Sequence, residues 1–359
     1  MSFLESKLEV DKREKILYDF LVNSPRISGH QEGGKIATPQ SIPWIDPILL
    51  NEGYSFVRHN FAVVIFSMVA SMWIGLSGKP VSKLQFRRYY PENVGGSVFL
   101  EALRKNLVWL TQNIMNQEGP AYKQTAYIYK LHTMFAEPTK STGKKLEFPP
   151  SDLKFPVEYG ELIEALQKDL KRVDTSLVPE EFQTWDPPIH FSQLNLALIQ
   201  FGAIATLFLY PRVCGLREEQ GNGLRGYFHI WAVIGRLLGL EDQFNLALFP
   251  DRELFSKIFT NTALPNIKRA DESVVFLWDY IASKVPLVRV KSLLFVSLNV
   301  VNFEGACLWE RMSWRDKLSY FLLRSLPIAI YKSNIFRVLA NYSTWAILSL
   351  IFWLNGIKM

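Results

Sequence analysis

The sequence predicts an all-α protein, and three observations support this prediction. Apolar residues recur at helical spacing, as in residues 227–249, where they fall at i, i+3, i+4 and i+7. Three long runs carry no charge at all, at residues 61–77, 187–211 and 338–357. No segment alternates apolar and polar residues as a strand does, and loops rich in Gly, Pro and Ser separate the helical segments. We therefore expect a single helical domain.

Composition narrows the class of protein. The chain has 359 residues, of which 48% are hydrophobic, 14% aromatic and 21% charged, and this length permits a core that encloses a cofactor. Many aromatics with few charges favour aromatic-lined cavities, contact with a membrane, or both. A net charge of +6 suits an anionic lipid surface, whereas no dense Lys/Arg stripe is present, so we expect no nucleic-acid partner. Cys214 and Cys307 stand in unrelated contexts, which indicates a reducing compartment and argues against a thiolate metal site.

The first 50 residues are predicted to form an N-terminal helix and a loop. Residues 1–25 alternate charged and apolar residues at helical spacing, and their charge is incompatible with a cleaved secretory signal. The Gly- and Pro-rich segment 24–44 follows. We expect His30, which lies in this loop, to be exposed to solvent.

Residues 51–310 are predicted to form the main domain. The uncharged run 61–77 lies at the lower length limit of a membrane span, so it is either a core helix or a membrane helix. Residues 97–136 are predicted to form one or two helices with a break at Gly119–Pro120.

The second uncharged run, 187–211, is predicted to be a helix buried in protein. Polar side chains that need protein partners are spread along it: Ser192, Gln193, Asn195 and Gln200. For Gln193 and Asn195 we expect hydrogen bonds between helices.

Residues 311–359 are predicted to form a basic amphipathic segment followed by a candidate membrane anchor. Twenty uncharged residues, 338–357, span roughly 30 Å as a helix, about the thickness of the hydrocarbon layer. The preceding residues 311–337 contain six Lys/Arg and one Asp, as expected for a segment on the cytosolic face of a membrane. The competing interpretation is a core helix that docks on the domain.

Histidines are the candidates for chemistry, because the chain has no phosphate-binding loop, dinucleotide fingerprint or zinc-hydrolase motif. His132, His190 and His229 stand in apolar helical context. A lone buried histidine is more often a core residue than a ligand, but three in an aromatic-rich all-α chain favour haem ligation. For His190, directly after two prolines, a capping or surface role is preferred.

Three stretches resemble successive blocks of one family, the ER-bound oxygenases and latex-clearing rubber oxygenases. They are "LHTMFA" at 131–136, "FSQLNLALIQFGAI" at 191–204 and "YFHIWAVIGRLLGLEDQFN" at 227–245. "SGKPVSKLQFRRYY" at 77–90 is similar to the preceding block of the arthropod branch, so the likeness covers roughly residues 55–250. The resemblance implies a globin-like haem b fold that cleaves double bonds of isoprenoid chains with dioxygen. In the fungal member it also implies attachment to the endoplasmic reticulum membrane.

The resemblance also implies roles for single residues. His132 would be the proximal iron ligand, Arg88 the distal arginine with Arg87 beside it, and His229 a histidine that supports the site. His229 is at the same time the rival ligand, because it too begins an aromatic helix in a family block. Arg87 and Arg88 have an alternative role in contacting lipid headgroups or haem propionates.

The chain departs from the family pattern at three positions. Glu92 replaces a common threonine, Ala232 a common arginine and Asn195 a common aspartate. A distal carboxylate changes how dioxygen is polarised and protonated, so Glu92 joins Arg88 as a candidate catalytic residue. The two lie four residues apart and would share a helix face, although Pro91 disfavours helical backbone just before it.

The sequence thus predicts a haem b-dependent oxygenase that cleaves or oxygenates a double bond of an isoprenoid or other unsaturated lipid. Its partners would be a hydrophobic small-molecule substrate, dioxygen and an intracellular membrane, that of the endoplasmic reticulum. Two alternatives stay open: a non-catalytic haem-binding or gas-sensing membrane protein, and a purely structural helical membrane protein.

Overall fold

The computed structural model describes residues 9–30, 36–76, 97–136, 154–176, 178, 189, 191–217, 222–283, 288–354 and 356–357. Within these residues the regular structure is helical and no strand is formed, which confirms the all-α prediction. One isolated antiparallel bridge joins Ser28 to Ser192.

The described residues contain the following α-helices. In chain order they are α1 (Val10–Tyr18), α2 (Pro47–His59), α3 (Phe61–Leu76), α4 (Ser97–Thr111), α5 (Pro120–Ala136), α6 (Val157–Asp169), α7 (Gln193–Leu209), α8 (Asn222–Leu237), α9 (Arg252–Ile258), α10 (Leu264–Lys268), α11 (Glu272–Ala282), α12 (Val290–Val300), α13 (Ala306–Glu310), α14 (Trp314–Lys332) and α15 (Asn334–Leu354).

Two predicted boundaries were tested by these bounds. The break before Pro120 is confirmed, because Pro120 is the first residue of α5, where its missing amide hydrogen has no helical partner to lose. The helix predicted over 227–249 is too long, since α8 ends at Leu237. Gly239 follows with a φ of 99°, a left-handed conformation that ends a helix and that glycine adopts without strain.

The two uncharged helices α3 and α7 pack along each other in the centre of the fold. The side chains of α3 are buried almost throughout the first half of the helix, and α7 exposes only Ile199 to a large extent. Residues 61–71, whose side chains the structure describes, therefore belong to a core helix. The polar groups of α7 find protein partners as expected: Gln200 Nε2 donates to the carbonyl of Trp231 (2.9 Å) and to Asn245 Oδ1 (2.8 Å).

Helices α2 and α8 approach each other so closely that their backbones touch. A Cβ atom placed on Gly226 would lie 2.3 Å from the backbone nitrogen of Gly53, and one on Gly53 would lie 2.3 Å from the carbonyl oxygen of Gly226. Contacts this short leave no space for any side chain at either position. The glycine pair thereby determines how closely α2 and α8 cross. Asp46 directly precedes α2, and His229 lies in α8.

The C-terminal helices α14 and α15 pack against each other, joined by Ser333, and we call them the C-terminal hairpin. α14 also packs on α12, and α15 packs on α3 and α2. Asn341 fastens α15 to the junction of α2 and α3, because its Nδ2 donates to the carbonyl of His59 (2.8 Å) and its Oδ1 accepts from the amide of Ala62 (2.9 Å). α15 is long and apolar enough to span a membrane.

α15 is apolar on two opposite sides. Its inner side, with Ala340, Leu348, Ile351 and Phe352, is buried against the protein. Its outer side forms a stripe at helical spacing whose members are each between 54% and 73% exposed: Ile335, Leu339, Tyr342, Leu350 and Trp353. The helix is thus docked on the domain and at the same time presents an apolar face outward.

Candidate functional site

His132 lies near the end of α5, a helix that packs between α4 and α8. Trp109 on α4 donates its indole hydrogen to Thr125 Oγ1 on α5 (2.8 Å), which fixes the two helices to each other. The imidazole of His132 is partly buried. Tyr127 on the same helix is 54% exposed, with the Lys105 ammonium over its ring.

The imidazole of His132 lies beside that of a second histidine, His30. Their ring centroids lie 5.6 Å apart, with an angle of 49° between the planes. The Phe191 ring contacts both, at 4.6 Å from His132 and 5.5 Å from His30, where it stacks almost parallel. Tyr129 meets the His30 ring edge-on at 4.8 Å. We call His30 and His132 the histidine pair.

The expectation that His30 is exposed to solvent is wrong, because only 7% of it is accessible. The cause is a contact between segments that are far apart in the sequence. The amide of Gly29 donates to the carbonyl of Phe191 (2.8 Å), and the amide of Gln193 donates to the carbonyl of Ile27 (2.9 Å). These two bonds place His30 beside Phe191, just before the N-terminus of α7.

Gln193 connects the three segments that surround His30. Its Nε2 donates to the carbonyls of Ser28 (3.2 Å) and Gly239 (3.0 Å), and its Oε1 accepts from the amide of Glu241 (2.9 Å). The predicted hydrogen bonds between helices are not formed, because Gln193 bonds instead to the loop residues Ser28, Gly239 and Glu241. Asn195 instead forms a local capping box, in which its Oδ1 accepts from the amide of Ser192 (2.8 Å).

The electrostatic state of His30 is set by its burial. Burial lowers the pKa of His30 to about 4, so the imidazole is neutral at physiological pH. Within the described part of the chain, neither of its ring nitrogens has a hydrogen-bond partner. A buried polar group left in this condition destabilises a protein by about 1–3 kcal/mol. A Cβ on Gly239 would lie 3.1 Å from Nδ1 and 3.3 Å from Cε1, so this edge of the ring rests on the Gly239 backbone.

The two imidazoles lie at about the separation that a shared metal ion would give, but a porphyrin does not fit between them. Metal–imidazole bonds are about 2.0–2.1 Å long, so two imidazoles that bind one ion from opposite sides place their ring centres about 6 Å apart. The observed separation is 5.6 Å, but the Phe191 ring, 4.6 Å from His132 and 5.5 Å from His30, occupies the plane that a porphyrin between the two rings would need. One or two imidazoles suffice for haem, because the porphyrin supplies four nitrogens, whereas structural zinc takes four protein ligands. Among the residues described, no group of three or more His, Cys, Asp or Glu side chains could hold a metal ion.

His229 has a different setting, on α8. Its Nε2 accepts a hydrogen bond from the backbone amide of Asp46 (2.9 Å), and the Trp44 ring meets it edge-on. Asp46 in turn caps α2, since its carboxylate accepts from the amides of Ile48 and Leu49. The lone pair of Nε2 is therefore engaged in holding the start of α2. This hydrogen bond gives His229 a structural role at the start of α2.

Four residues singled out in the sequence, Arg87, Arg88, Glu92 and His190, lie outside the described residues. Of the departures from the family pattern, Ala232 is fully buried and its carbonyl accepts from Asn245 Nδ2 (2.9 Å). An aspartate at position 195 would accept the same capping hydrogen bonds as Asn195 does, so this departure leaves the start of α7 unchanged.

Comparisons with protein-family models, with curated proteins and with solved structures gave no match to this chain. The family resemblance therefore stays a prediction. Sequence reasoning missed His30, because the partners that bury it lie more than 90 residues further along the chain. The only local signal is Gly29, where a Cβ would lie 3.1 Å from both Leu196 Cδ1 and the carbonyl oxygen of Phe191.

Proposed function

We propose that this protein is a haem b-dependent oxygenase that acts on a double bond of an isoprenoid or other unsaturated lipid, with dioxygen as co-substrate. The histidine pair is the observation that carries the proposal. His30 is buried, neutral and without a hydrogen-bond partner in the described structure, and it lies 5.6 Å from His132 among aromatic rings.

In this proposal each residue of the site has a physical task. His132, at the end of α5, would bind the iron through a neutral imidazole nitrogen. Phe191 contacts both imidazoles and excludes water from the space beside them. Haem, when bound, supplies the activation of dioxygen. Arg88 and Glu92 remain the proposed distal residues on the strength of the resemblance alone.

The outer face of α15 supports the membrane part of the proposal. Long hydrocarbon substrates reside in membranes, and a protein that draws them from a bilayer needs an apolar surface in contact with lipid. The stripe from Ile335 to Trp353 supplies such a surface. Attachment to the endoplasmic reticulum in particular is proposed from the resemblance.

The first experiment is an absorption scan of the purified full-length protein with added haemin. We expect wild type to show a Soret band that is shifted from that of free haemin. In His132→Ala this band should be absent, or should return only when imidazole is added. His59→Ala is the matched control, because the imidazole of His59 is exposed and bonds to the carbonyl of Ser55, one turn earlier in α2. A wild-type spectrum equal to that of free haemin would contradict the proposal.

A second candidate, a haem protein without oxygenase activity, is favoured by the departures from the family pattern at Glu92 and Ala232. Incubation of the haem-loaded protein with polyprenyl substrates under labelled dioxygen separates the two candidates. Label in a carbonyl product supports the oxygenase. Haem binding without any labelled product supports the second candidate.

A further inference from the structure

We infer that the C-terminal hairpin docks on the surface of an anionic bilayer, with the apolar side of α14 inserted beside that of α15 and the basic side chains of α14 at the lipid headgroups. The inference rests on the membrane part of the proposed function and deepens it. It adds a second inserting helix and names the headgroup charge that the protein selects.

The first observation is an outward apolar stripe on α14. At about 100° per residue, four large side chains fall on one face of this helix, each between 48% and 70% exposed: Trp314, Leu318, Phe321 and Leu322. The opposite face is buried and includes Ser319, Pro327 and Ile330. A row of exposed apolar side chains on a helix that is otherwise packed on protein marks an interaction surface.

The second observation is that the stripes of α14 and α15 face the same way. The two helices lie side by side, and both pack on α3. Because each helix turns its buried side toward the domain, their exposed sides point away from it together. The hairpin therefore presents an apolar surface two helices wide.

The third observation is the charge around the stripe of α14. Four basic side chains border it, and none of them has a carboxylate partner among the described residues: Arg315, Lys317, Arg324 and Lys332. At about 100° per residue, Arg315 lies on one side of the stripe, and Lys317 and Arg324 lie on the other. The one acid of the helix, Asp316, is buried and paired with Arg289 (2.7 Å). The exposed charge of α14 is thus entirely positive.

This combination fits an anionic bilayer better than it fits a second copy of the chain. Long basic side chains beside an inserted apolar stripe extend their charges back to the headgroups. There the negative surface potential attracts each Lys or Arg. A symmetric dimer through the same surface would instead place like charges opposite each other.

The first test compares the binding of full-length wild type to vesicles of phosphatidylcholine alone and to vesicles that also contain phosphatidylserine. At low salt we expect the anionic vesicles to be bound about tenfold more tightly or more, and high salt should remove most of this difference. Equal binding to both vesicles at low salt would overturn the inference and leave membrane association intact. Binding to neither would overturn the membrane part of the proposed function as well.

The second test assigns the selectivity to α14. The triple variant Arg315→Gln, Lys317→Gln and Lys332→Gln should lose about tenfold or more in affinity for the anionic vesicles, because its charges at the headgroups are gone. Its affinity for phosphatidylcholine should stay within about threefold of that of wild type, because the apolar stripe is unchanged. Circular dichroism establishes that the variant is folded. A preference for anionic vesicles equal to that of wild type would overturn the inference.

A control and an apolar variant complete the design. Lys15→Gln, Lys154→Gln and Arg172→Gln together remove three exposed charges away from the hairpin and should keep the preference for anionic vesicles. Leu318→Gln with Phe321→Gln should weaken binding to both kinds of vesicle, because these side chains no longer insert. The same loss of preference in the control, or unaltered binding of the apolar variant, would overturn the inference. So would a wild-type dimer in sedimentation without lipid that the apolar variant does not form.

Discussion

The outer stripe of α15 leads to a quantitative prediction about membrane binding. Ile335, Leu339 and Leu350 are 73%, 54% and 54% exposed in the folded protein, so their replacement should leave the core untouched. Deletion of the whole helix would be a poorer test, because it would also remove Phe352 and the Asn341 hydrogen bonds from the core. We therefore choose the triple variant Ile335→Gln, Leu339→Gln and Leu350→Gln.

The expected magnitude follows from the exposed fractions. Complete burial of one Leu or Ile side chain contributes about 1.5–3 kcal/mol, so the exposed part of each side chain contributes about 1–2 kcal/mol when it enters lipid. The three together contribute about 3–5 kcal/mol, and since about 1.4 kcal/mol is a factor of ten, partition into vesicles should weaken by about a hundred-fold or more.

The assay is co-sedimentation with vesicles of phosphatidylcholine and phosphatidylserine. The matched control carries Val10→Gln, Ile48→Gln and Val157→Gln, three apolar side chains that are at least as exposed but lie away from the hairpin. Circular dichroism establishes that both variants are folded. Sedimentation of the α15 variant to the extent of wild type would refute the argument.

Carbonate extraction distinguishes an α15 that lies on the bilayer surface from one that spans the bilayer. Because α15 is packed on α3 and fastened through Asn341, we expect the hairpin to lie on the bilayer with its stripe inserted, as a surface-bound helix does. Carbonate should then release the wild type from vesicles. Retention after carbonate would instead support a spanning α15.

Two further predictions concern the framework around the site. Gly226→Ala should lower the free energy of unfolding by about 2 kcal/mol or more in urea titration, because its Cβ would meet the Gly53 backbone at 2.3 Å. As a control, Gly160→Ala in α6 should leave the free energy of unfolding equal or raise it by up to about 1 kcal/mol. Burial lowers the pKa of His229 below its ordinary value, so the contribution of His229 to stability is complete above about pH 6.5. This contribution is lost as the pH falls, because the protonated imidazole can no longer accept the hydrogen bond from the amide of Asp46. The His229→Asn variant should show a smaller loss of unfolding free energy between pH 7 and pH 5 than wild type, and equal slopes would contradict this role.

The parts of the fold that the sequence predicted are those determined by neighbours along the chain. The absence of charge over 61–77 and 187–211 was enough to identify α3 and α7, since a helix surrounded by protein on all sides has no polar face. Pro120 marked the start of α5 because of its own backbone chemistry. The end of α8 was misjudged because the apolar pattern continues past Gly239, where Leu240, Phe244 and Leu246 are buried by tertiary packing.

The parts that escaped prediction depend on contacts between distant segments. His30 lies in a loop whose composition is that of an exposed turn. It is buried because Phe191 and Gln193, which are distant in the sequence, form hydrogen bonds with residues 27–29 of this loop. The backbone contact of Gly53 with Gly226 is equally invisible, since each glycine alone only weakens its helix. His132 could be singled out because it interrupts a local run, but its partner could not.

Two features of this protein, the buried imidazole of His30 and the outer stripe of α15, are unfavourable for a protein without partners in water. A buried imidazole with unsatisfied nitrogens destabilises the fold, and an outward stripe of large apolar side chains on α15 favours aggregation. The proposed function gives the chain two partners, haem in the apolar site beside His30 and lipid against α15. The two partners also belong together, because an oxygenase for hydrocarbon chains needs both a redox-active metal in an apolar site and access to the phase in which its substrate dissolves. Since the vesicle and the spectroscopic experiments address different residues, each can fail without the other.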